Sequence, residues 1–422
     1  MSKRLKSLFL FLFLFASGIG LGYILKPSTK SDNTTTKIQD KYIAFSSEVY
    51  DVIGQNYWEK TDDATLNQIY LAGAEKLTGQ IYNQDLKTKD DLLDFLATIL
   101  KQYDSNDKKT EFTATLSDLV LSNLKPFGRS RLYTKKMQDD LSNTVANIDP
   151  TTDQYQILGV DKDATLKQVD TAYQDQIKDL DPVKDSHKIA ELNTAKNTLS
   201  DQFNKNLYDA QGIQPSTNYQ VTDDTLYLKI NKFTMTTFEE MVNNLDKIYQ
   251  HQKLTNLILD LRDNIGGNID AMPYFLGPFI GPDQYAYQFF HQDDKTDFKT
   301  KIGWLESLVP YKKVVILINE NSQSTAELMA ATLKKYNVGV VVGTPTKGWG
   351  TVEKVFPLEN QIDDSQEHSV FLVHSLTLRD DGQPIEGNSV LPTIDITGKD
   401  WQQELFKYYS DQDLVNQVAK LF

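Results

Sequence analysis

The chain has 422 residues, of which 40% are hydrophobic and 11% aromatic, enough for two or three domains with sizeable cores. Its formal net charge is -14 and no basic block follows the extreme N-terminus, so we expect no nucleic-acid partner. The sequence has no cysteine, no His/Cys cluster at metal-binding spacing and no phosphate-binding glycine loop. We therefore expect neither a metal nor a cofactor.

The first predicted element is an apolar segment at the N-terminus. A basic flank, KRLK at residues 3–6, precedes an apolar run from Leu8 to Leu25. A run of this length just spans a bilayer as a helix, and the basic flank should stay cytoplasmic. We expect residues 1–26 to be a membrane anchor that leaves the rest of the chain outside the cytoplasm. A cleaved signal peptide, with Ala16-Ser17-Gly18 as the processing site, is the alternative.

A helical lobe is predicted after a polar linker at residues 27–37. Hydrophobic residues recur at helical spacing in Ile38 to Trp58, Ala64 to Ile81 and Lys89 to Tyr103. We assign residues 38–150 to this N-terminal lobe and interpret it as a packing element.

Residues 151–213 read as a small all-α module. It opens with DQYQILGV at Asp153, continues with an AY pair and a helix ending in LSD, and closes with YDAQG. These features resemble a J-domain, and Thr165 with Gln168 fits a capping box at the start of its second helix. The His-Pro-Asp signature, which in that family drives a chaperone ATPase, aligns with Asp181-Pro182-Val183. We therefore expect no chaperone ATPase partner and interpret the module as a docking or spacer element.

The most specific pattern lies in residues 214–422. TNLILDLRDNIGG at Thr255 to Gly267 and VVILINENSQSTAELMAATL at Val314 to Leu333 are each an apolar run that leads into a polar turn. The second turn delivers Ser324 onto the start of a helix, whose N–H groups point at the oxygen that the hydroxyl would attack. This pattern predicts a nucleophilic serine. Ser324 and Glu327 also fit a capping box, so an alternative interpretation is that Ser324 only caps the helix.

Four ordered blocks of this part resemble the carboxyl-terminal processing, or tail-specific, serine peptidases. LILDLRDNIGG is similar to the family's LILDLRxNPGG, and NENSQSTAE is similar to its NEGSASASE. VVGTPTKGWGTVEKVFPL at Val341 to Leu358 and DGQPIEGNSVLPTIDI at Asp381 to Ile396 resemble the last two blocks. The resemblance covers about residues 227–397. It implies an α/β core with a crotonase-like sheet and helices, and a polypeptide substrate.

The resemblance assigns the nucleophile and the oxyanion hole. The nucleophile falls on Ser324, and the oxyanion hole on the N–H of Thr325 together with the turn of Gly266 and Gly267. Donors aimed at a developing oxyanion are worth about 3 kcal/mol each. Glycines in such a turn would therefore have a chemical purpose besides closing a tight turn.

The family's base is missing from this chain. Where FGKG places a catalytic lysine the chain reads KGWG, so Trp349 stands at the base position. Glu353 stands where the family has the glutamine that orients the lysine. Lys347 is the candidate base, and His374 is a second candidate. An indole accepts no proton, so Trp349 is also interpreted as an apolar plug.

Two functions remain open at this point. One is a membrane-anchored, extracytoplasmic serine peptidase, and the other is an inactive pseudopeptidase that binds polypeptide as a scaffold or receptor. A buried lysine amine within hydrogen-bond reach of Ser324 would favour the first, and a Trp349 side chain in that space would favour the second. The PDZ-like module with which the family recognises free C-termini has no counterpart in the sequence, and the J-like segment stands in its place.

Overall fold

A computed structural model describes residues 40–251, 253–379 and 381–422. The predicted membrane segment Leu8–Leu25 and the linker at 27–37 lie outside these residues. Within the described residues, no helix is both long enough and apolar enough to cross a membrane.

The N-terminal region is helical, as predicted. Side chains cap its helices: Asp40 accepts backbone N–H groups at the start of the first, and Thr88 forms a capping box with Asp91 at the third. The apolar faces meet in one core, in which Phe45 and Tyr70 are fully buried. The helices are α1 (Lys41–Asn56), α2 (Asp63–Thr78), α3 (Lys89–Leu100), α4 (Asn106–Ser122) and α5 (Lys135–Ala146).

The J-like module folds into four helices with a core of its own. This core contains Tyr155, Leu158, Val169, Leu192 and Leu199. The predicted capping box is present, because Thr165 Oγ1 accepts the Gln168 N–H while Gln168 Oε1 accepts the Thr165 N–H. The helices are α6 (Gln154–Leu158), α7 (Leu166–Ile177), α8 (Ser186–Leu199) and α9 (Gln202–Gln211).

The two ends of this module lie side by side. Ile148 and Ile213 form an isolated antiparallel bridge, and the Gln214 N–H donates to the Asn147 carbonyl at 3.0 Å. The module therefore leaves and rejoins the rest of the chain at nearly the same point.

The α/β core contains a six-stranded sheet in the order β11-β8-β7-β4-β3-β2, parallel except for the last pair. Neighbouring residues of β4 face opposite hydrophobic clusters, since Leu257 and Leu259 pack on one side and Ile258 on the other. The predicted α/β core is thus confirmed. The strands are β2 (Thr217–Thr222), β3 (Thr225–Ile230), β4 (Asn256–Asp260), β7 (Lys313–Ile318), β8 (Val340–Gly343) and β11 (Ile394–Asp395).

Helices cover both faces of this sheet. Three pack on the side of Leu257, namely α10 (Thr237–His251), α11 (Met272–Ile280) and α12 (Thr325–Lys335), and two on the other side, α13 (Trp401–Tyr409) and α14 (Gln412–Ala419). Short 3-10 helices occupy Ile269–Ala271 and Glu306–Leu308.

A second sheet, antiparallel throughout, joins the helical lobe to the core. Its order is β1-β10-β5-β6, with β9 beside β10. Strand β1 belongs to the lobe, and its Tyr133 stacks on Phe371 of β10 with ring centroids 4.6 Å apart. This strand is too short for sequence periodicity to reveal. The strands are β1 (Arg131–Thr134), β5 (Tyr285–His291), β6 (Asp294–Lys299), β9 (Thr351–Pro357) and β10 (His368–Leu378).

The turn between α7 and α8 generates a first prediction. Asp181 Oδ1 accepts the N–H groups of Val183 and Lys184, each at 2.9 Å, so a carboxylate organises the turn where a J-domain carries histidine. We expect the protein to leave the ATPase rate of a J-dependent chaperone unchanged. The double variant Asp181→His/Val183→Asp, which restores the tripeptide, is the matched control. Stimulation by the unaltered protein in a steady-state ATPase assay would contradict this assignment.

Candidate active site

Three turns meet where the parallel strands end. They follow β4, β7 and β8, and the carboxyl ends of parallel strands share one edge of a sheet. Asp263 Oδ1 accepts hydrogen bonds from the side-chain amides of Asn319 and Asn321, both at 2.9 Å. Ser322 Oγ donates to the Leu261 carbonyl at 2.8 Å. The turns after β4 and β7 are therefore held as one unit.

Ser324 has a strained backbone at the start of α12. Its φ is 57° and its ψ is -122°, whereas an N-cap residue is normally extended. Such a conformation costs about 1–3 kcal/mol in a non-glycine residue. The capping box with Glu327 is present, but capping alone does not require this strain. A Cβ on Gly266 would lie 3.1 Å from Ser324 Oγ, so the glycine turn approaches the hydroxyl closely.

The three predicted oxyanion donors differ in whether their N–H groups are already hydrogen-bonded. The Gly266 N–H donates to Asn264 Oδ1 at 2.8 Å and is already engaged. Among the described residues, no acceptor pairs with the N–H of Gly267 or of Thr325. Thr325 Oγ1 donates to the Gly267 carbonyl at 3.1 Å, which keeps these two residues together. Two donors therefore remain available beside Ser324.

Glu327 is a site residue that the sequence showed only as a helix cap. Its fully buried carboxylate accepts the N–H groups of Ser324, Gly348 and Trp349 at 2.9, 2.7 and 2.8 Å, and also the Thr346 hydroxyl. Burial raises its pKa, while these donors act in the opposite direction. Because the N–H groups of Ser324 and Trp349 donate to the same oxygen, Oε2 of Glu327, position 349 lies directly beside Ser324.

Trp349 stands at the position where the family resemblance expects a base. The guanidinium carbon of Arg129 lies 3.2 Å from the centroid of its ring, and Lys347 Nζ lies 5.1 Å from it. Arg129 also forms an ion pair with Glu386 at 3.0 Å, and Glu386 accepts the Gly350 N–H at 2.8 Å. Sequence reasoning missed Arg129, which comes from the loop after α4 and carries no local signal.

The candidate bases do not meet Ser324. Lys347 is exposed, and within the described residues no amine, imidazole or carboxylate forms a hydrogen bond with Ser324 Oγ. Glu353 accepts a hydrogen bond from Thr351 Oγ1 and not from Lys347, and burial raises the pKa of its carboxyl. Within the described residues, the structure therefore brings the candidate nucleophile Ser324 and the candidate oxyanion donors together without an amine bonded to the hydroxyl.

His374 is engaged elsewhere on β10. Its ring stacks on His291 at 4.2 Å, its Nδ1 pairs with Ser375 Oγ at 2.8 Å, and its Nε2 lies 3.3 Å from Lys354 Nζ. These contacts place it in the second sheet, with no hydrogen bond to Ser324.

Two family models match parts of this chain. Residues 224–396 match the family described as peptidase family S41, and residues 153–209 match the DnaJ domain. A carboxy-terminal-processing protease of Bartonella bacilliformis is 27% identical over 180 residues, 42% of this chain and 39% of that protein. A probable CtpA-like serine protease of Staphylococcus epidermidis is 29% identical over 187 residues, 44% of this chain and 36% of that protein.

The chain thus spans less than two fifths of the length of these two relatives. A solved photosystem II D1 C-terminal processing protease is 14% identical, with a TM-score of 0.49, over 85% of this chain and 93% of that one. Residues 224–396 are thus similar to the S41 serine peptidases, and the segment before them is similar to a DnaJ domain.

The histidine stack generates a prediction about pH. Burial, with smaller contributions from Lys354 and His291, lowers the pKa of His374 to about 4, whereas an unfolded histidine titrates near pH 6.5. Between these values the unfolded chain binds more protons, so stability must fall as the pH falls from 6.5 towards 4. The ring is partly exposed, so solvent screening reduces the effect of its titration. We expect the decrease in the free energy of unfolding between pH 7 and pH 5 to be about 1 kcal/mol smaller in His374→Gln than in the native protein.

Urea unfolding at the two pH values measures this difference. His187→Gln is the control, since the His187 side chain is 90% exposed. A loss of stability that is the same in the native protein and in His374→Gln would rule out this histidine as its source.

Proposed function

We propose that this chain is a serine peptidase of the carboxyl-terminal processing type, with Ser324 as its nucleophile and a low turnover rate. The observation that carries the proposal is the strained backbone of Ser324 beside two N–H groups, of Gly267 and Thr325, that find no acceptor among the described residues. Strain of this kind persists where the surrounding structure enforces it, and it is concentrated at functional sites. The names of the relatives support polypeptide as the substrate.

The chemistry follows from the groups at the site. Ser324 Oγ attacks a peptide carbonyl, and the N–H groups of Gly267 and Thr325 stabilise the oxyanion. The hydroxyl proton passes to a base and then to the leaving amine, after which water hydrolyses the acyl ester. Lys347 fills the role of base only after its amine leaves Trp349 and turns towards Ser324. Without that base, binding and the oxyanion hole alone give roughly 10³–10⁴-fold acceleration over water.

A pseudopeptidase is the second candidate. The observation in its favour is that Trp349 lies at the base position, under the Arg129 guanidinium, while Lys347 is exposed. In this case the S41 domain binds polypeptide at the Ser324 site and releases it uncleaved. The J-like module then serves as a docking or spacer element in either function.

Substitutions at the site distinguish the two candidates. In the peptidase we expect Ser324→Ala to abolish cleavage of an unfolded fluorescent polypeptide, and Lys347→Ala to slow it by a factor on the order of a hundred, as is typical for the loss of a general base. Lys407→Ala, on the exposed face of α13, is the control. In the pseudopeptidase the native protein cleaves nothing, and Trp349→Lys supplies the missing amine. Equal cleavage by the native protein and Ser324→Ala would refute both assignments of the site.

We also propose that the chain is anchored in the cell membrane with its S41 domain outside the cytoplasm. The basic flank at residues 3–6 and the apolar run Leu8–Leu25 support this topology. Protease added to intact cells should then digest the chain beyond about Lys26, because the enzyme reaches only the outer face. A cytoplasmic protein that stays intact is the control, and an undigested C-terminal part in intact cells would disprove the topology.

A further inference from the structure

The turn that holds Gly267 is fixed by a neighbouring loop. This loop, residues 231–236, joins β3 to α10, and we call it the Phe233 loop. The Phe233 N–H donates to the Gly266 carbonyl at 2.9 Å, and the Asn268 N–H donates to the Phe233 carbonyl at 2.7 Å. A Cβ on Gly267 would lie only 2.1 Å from the Phe233 oxygen. Any movement of the Phe233 loop therefore moves the Gly267 N–H.

Lys232 ties this loop to one end of the J-like module. Its Nζ donates to the Thr144 carbonyl at 2.8 Å and to Asn147 Oδ1 at 3.3 Å. The Asn147 amide in turn donates to the carbonyls of Gln214 and Pro215 at 3.0 and 3.2 Å. One lysine and one asparagine thus connect the Phe233 loop to the residues on both sides of the module.

Glu240 makes a second tie from the opposite side. It is 2% exposed, and its Oε2 accepts the N–H groups of Ser216 and Thr217 at 2.7 and 3.0 Å. Its Oε1 accepts a hydrogen bond from Thr236 Oγ1 in the Phe233 loop at 2.8 Å. A single carboxylate therefore joins the chain that leaves the module to the loop that holds the oxyanion turn.

Packing alone does not explain two ionisable groups at this place. Burial lowers the pKa of Lys232 and raises that of Glu240, so each charge is held against a cost of desolvation. Apolar residues of similar size would commonly be as stable or more so. Lys232 and Glu240 add directional hydrogen bonds between three segments, namely the end of α5, the start of β2 and the Phe233 loop. These hydrogen bonds fix the relative position of the three segments.

We propose that Lys232 and Glu240 are positioning residues of the Ser324 site, and that through them the ends of the J-like module set the position of the Gly267 N–H. This inference rests on the proposed function, since it takes Gly267 as an oxyanion donor.

Hydrogen exchange on the full chain tests the inference without any need for catalysis. Lys232→Ala and Glu240→Gln should each speed exchange of the amides at residues 264–268 by a factor on the order of ten, because the turn loses its support. Lys232→Arg, which keeps a donor, should restore most of the protection. Amides of β7 serve as the internal reference, since a global loss of stability would accelerate their exchange equally.

Lys205→Ala is the matched control within the module. Lys205 Nζ donates to Tyr155 and Asp209 at 2.6 and 2.7 Å, inside the module and away from its ends. This variant should leave exchange at residues 264–268 unchanged. The inference is overturned if Lys232→Ala and Glu240→Gln leave the turn as protected as before, or if Lys205→Ala exposes it to the same degree.

A covalent probe gives a second readout. The rate at which an organophosphonate labels Ser324 depends on the oxyanion donors, so Lys232→Ala should lower it by a factor on the order of ten and Lys232→Arg should recover it. If the native protein is not labelled at all, the proposed function fails. The exchange measurement still decides the inference in that case, so the two failures are distinguishable.

Discussion

The four hydrogen bonds to the carboxylate of Glu327 hold the site together. Three backbone N–H groups and one hydroxyl converge on it, from the start of α12 and from the turn after β8. Hydrogen bonds to a charged acceptor are worth about 1.5–3 kcal/mol each, and a buried carboxylate without them would be strongly unfavourable. Together with the hydrogen bond from the Lys347 N–H to the Ser322 carbonyl, at 3.0 Å, Glu327 fixes the turn of Trp349 against that of Ser324.

This arrangement gives the substitution at position 349 its physical meaning. The backbone N–H of Trp349 shares an acceptor with that of Ser324, so the turn lies beside the candidate nucleophile, yet the indole side chain accepts no proton. The nearest cation over the ring is Arg129, whose guanidinium has hydrogen-bond donors and no acceptor. It supplies positive charge but not a base. Since Arg129 belongs to the helical region, that region contributes directly to the surroundings of the site.

Sequence reasoning succeeded where the signal is local and failed where it depends on distant contacts. The turn of Ser324 and the capping box at Thr165 follow from short motifs, and the α/β core follows from the family resemblance that such motifs carry. The contact between Arg129 and Trp349 spans more than two hundred residues and has no such signal. The engagement of the Gly266 N–H by Asn264 could not be foreseen either, because it depends on how one turn folds back on itself.

The two ends of the J-like module are bonded to a loop that touches the candidate site. The module has a hydrophobic core of its own, and its two ends are paired by the bridge between Ile148 and Ile213. Because the entropy cost of loop closure grows slowly with loop length, such a module could fold as an independent unit. The module is nevertheless tied to the rest of the chain. Lys232 and Glu240 form hydrogen bonds with the residues on both sides of the module, and the Phe233 loop next to them is hydrogen-bonded to the turn of Gly267. An appendage held by flexible linkers could move without consequence. In the role proposed for Lys232 and Glu240, a module whose ends are held by these hydrogen bonds would transmit its displacement to the turn of Gly267.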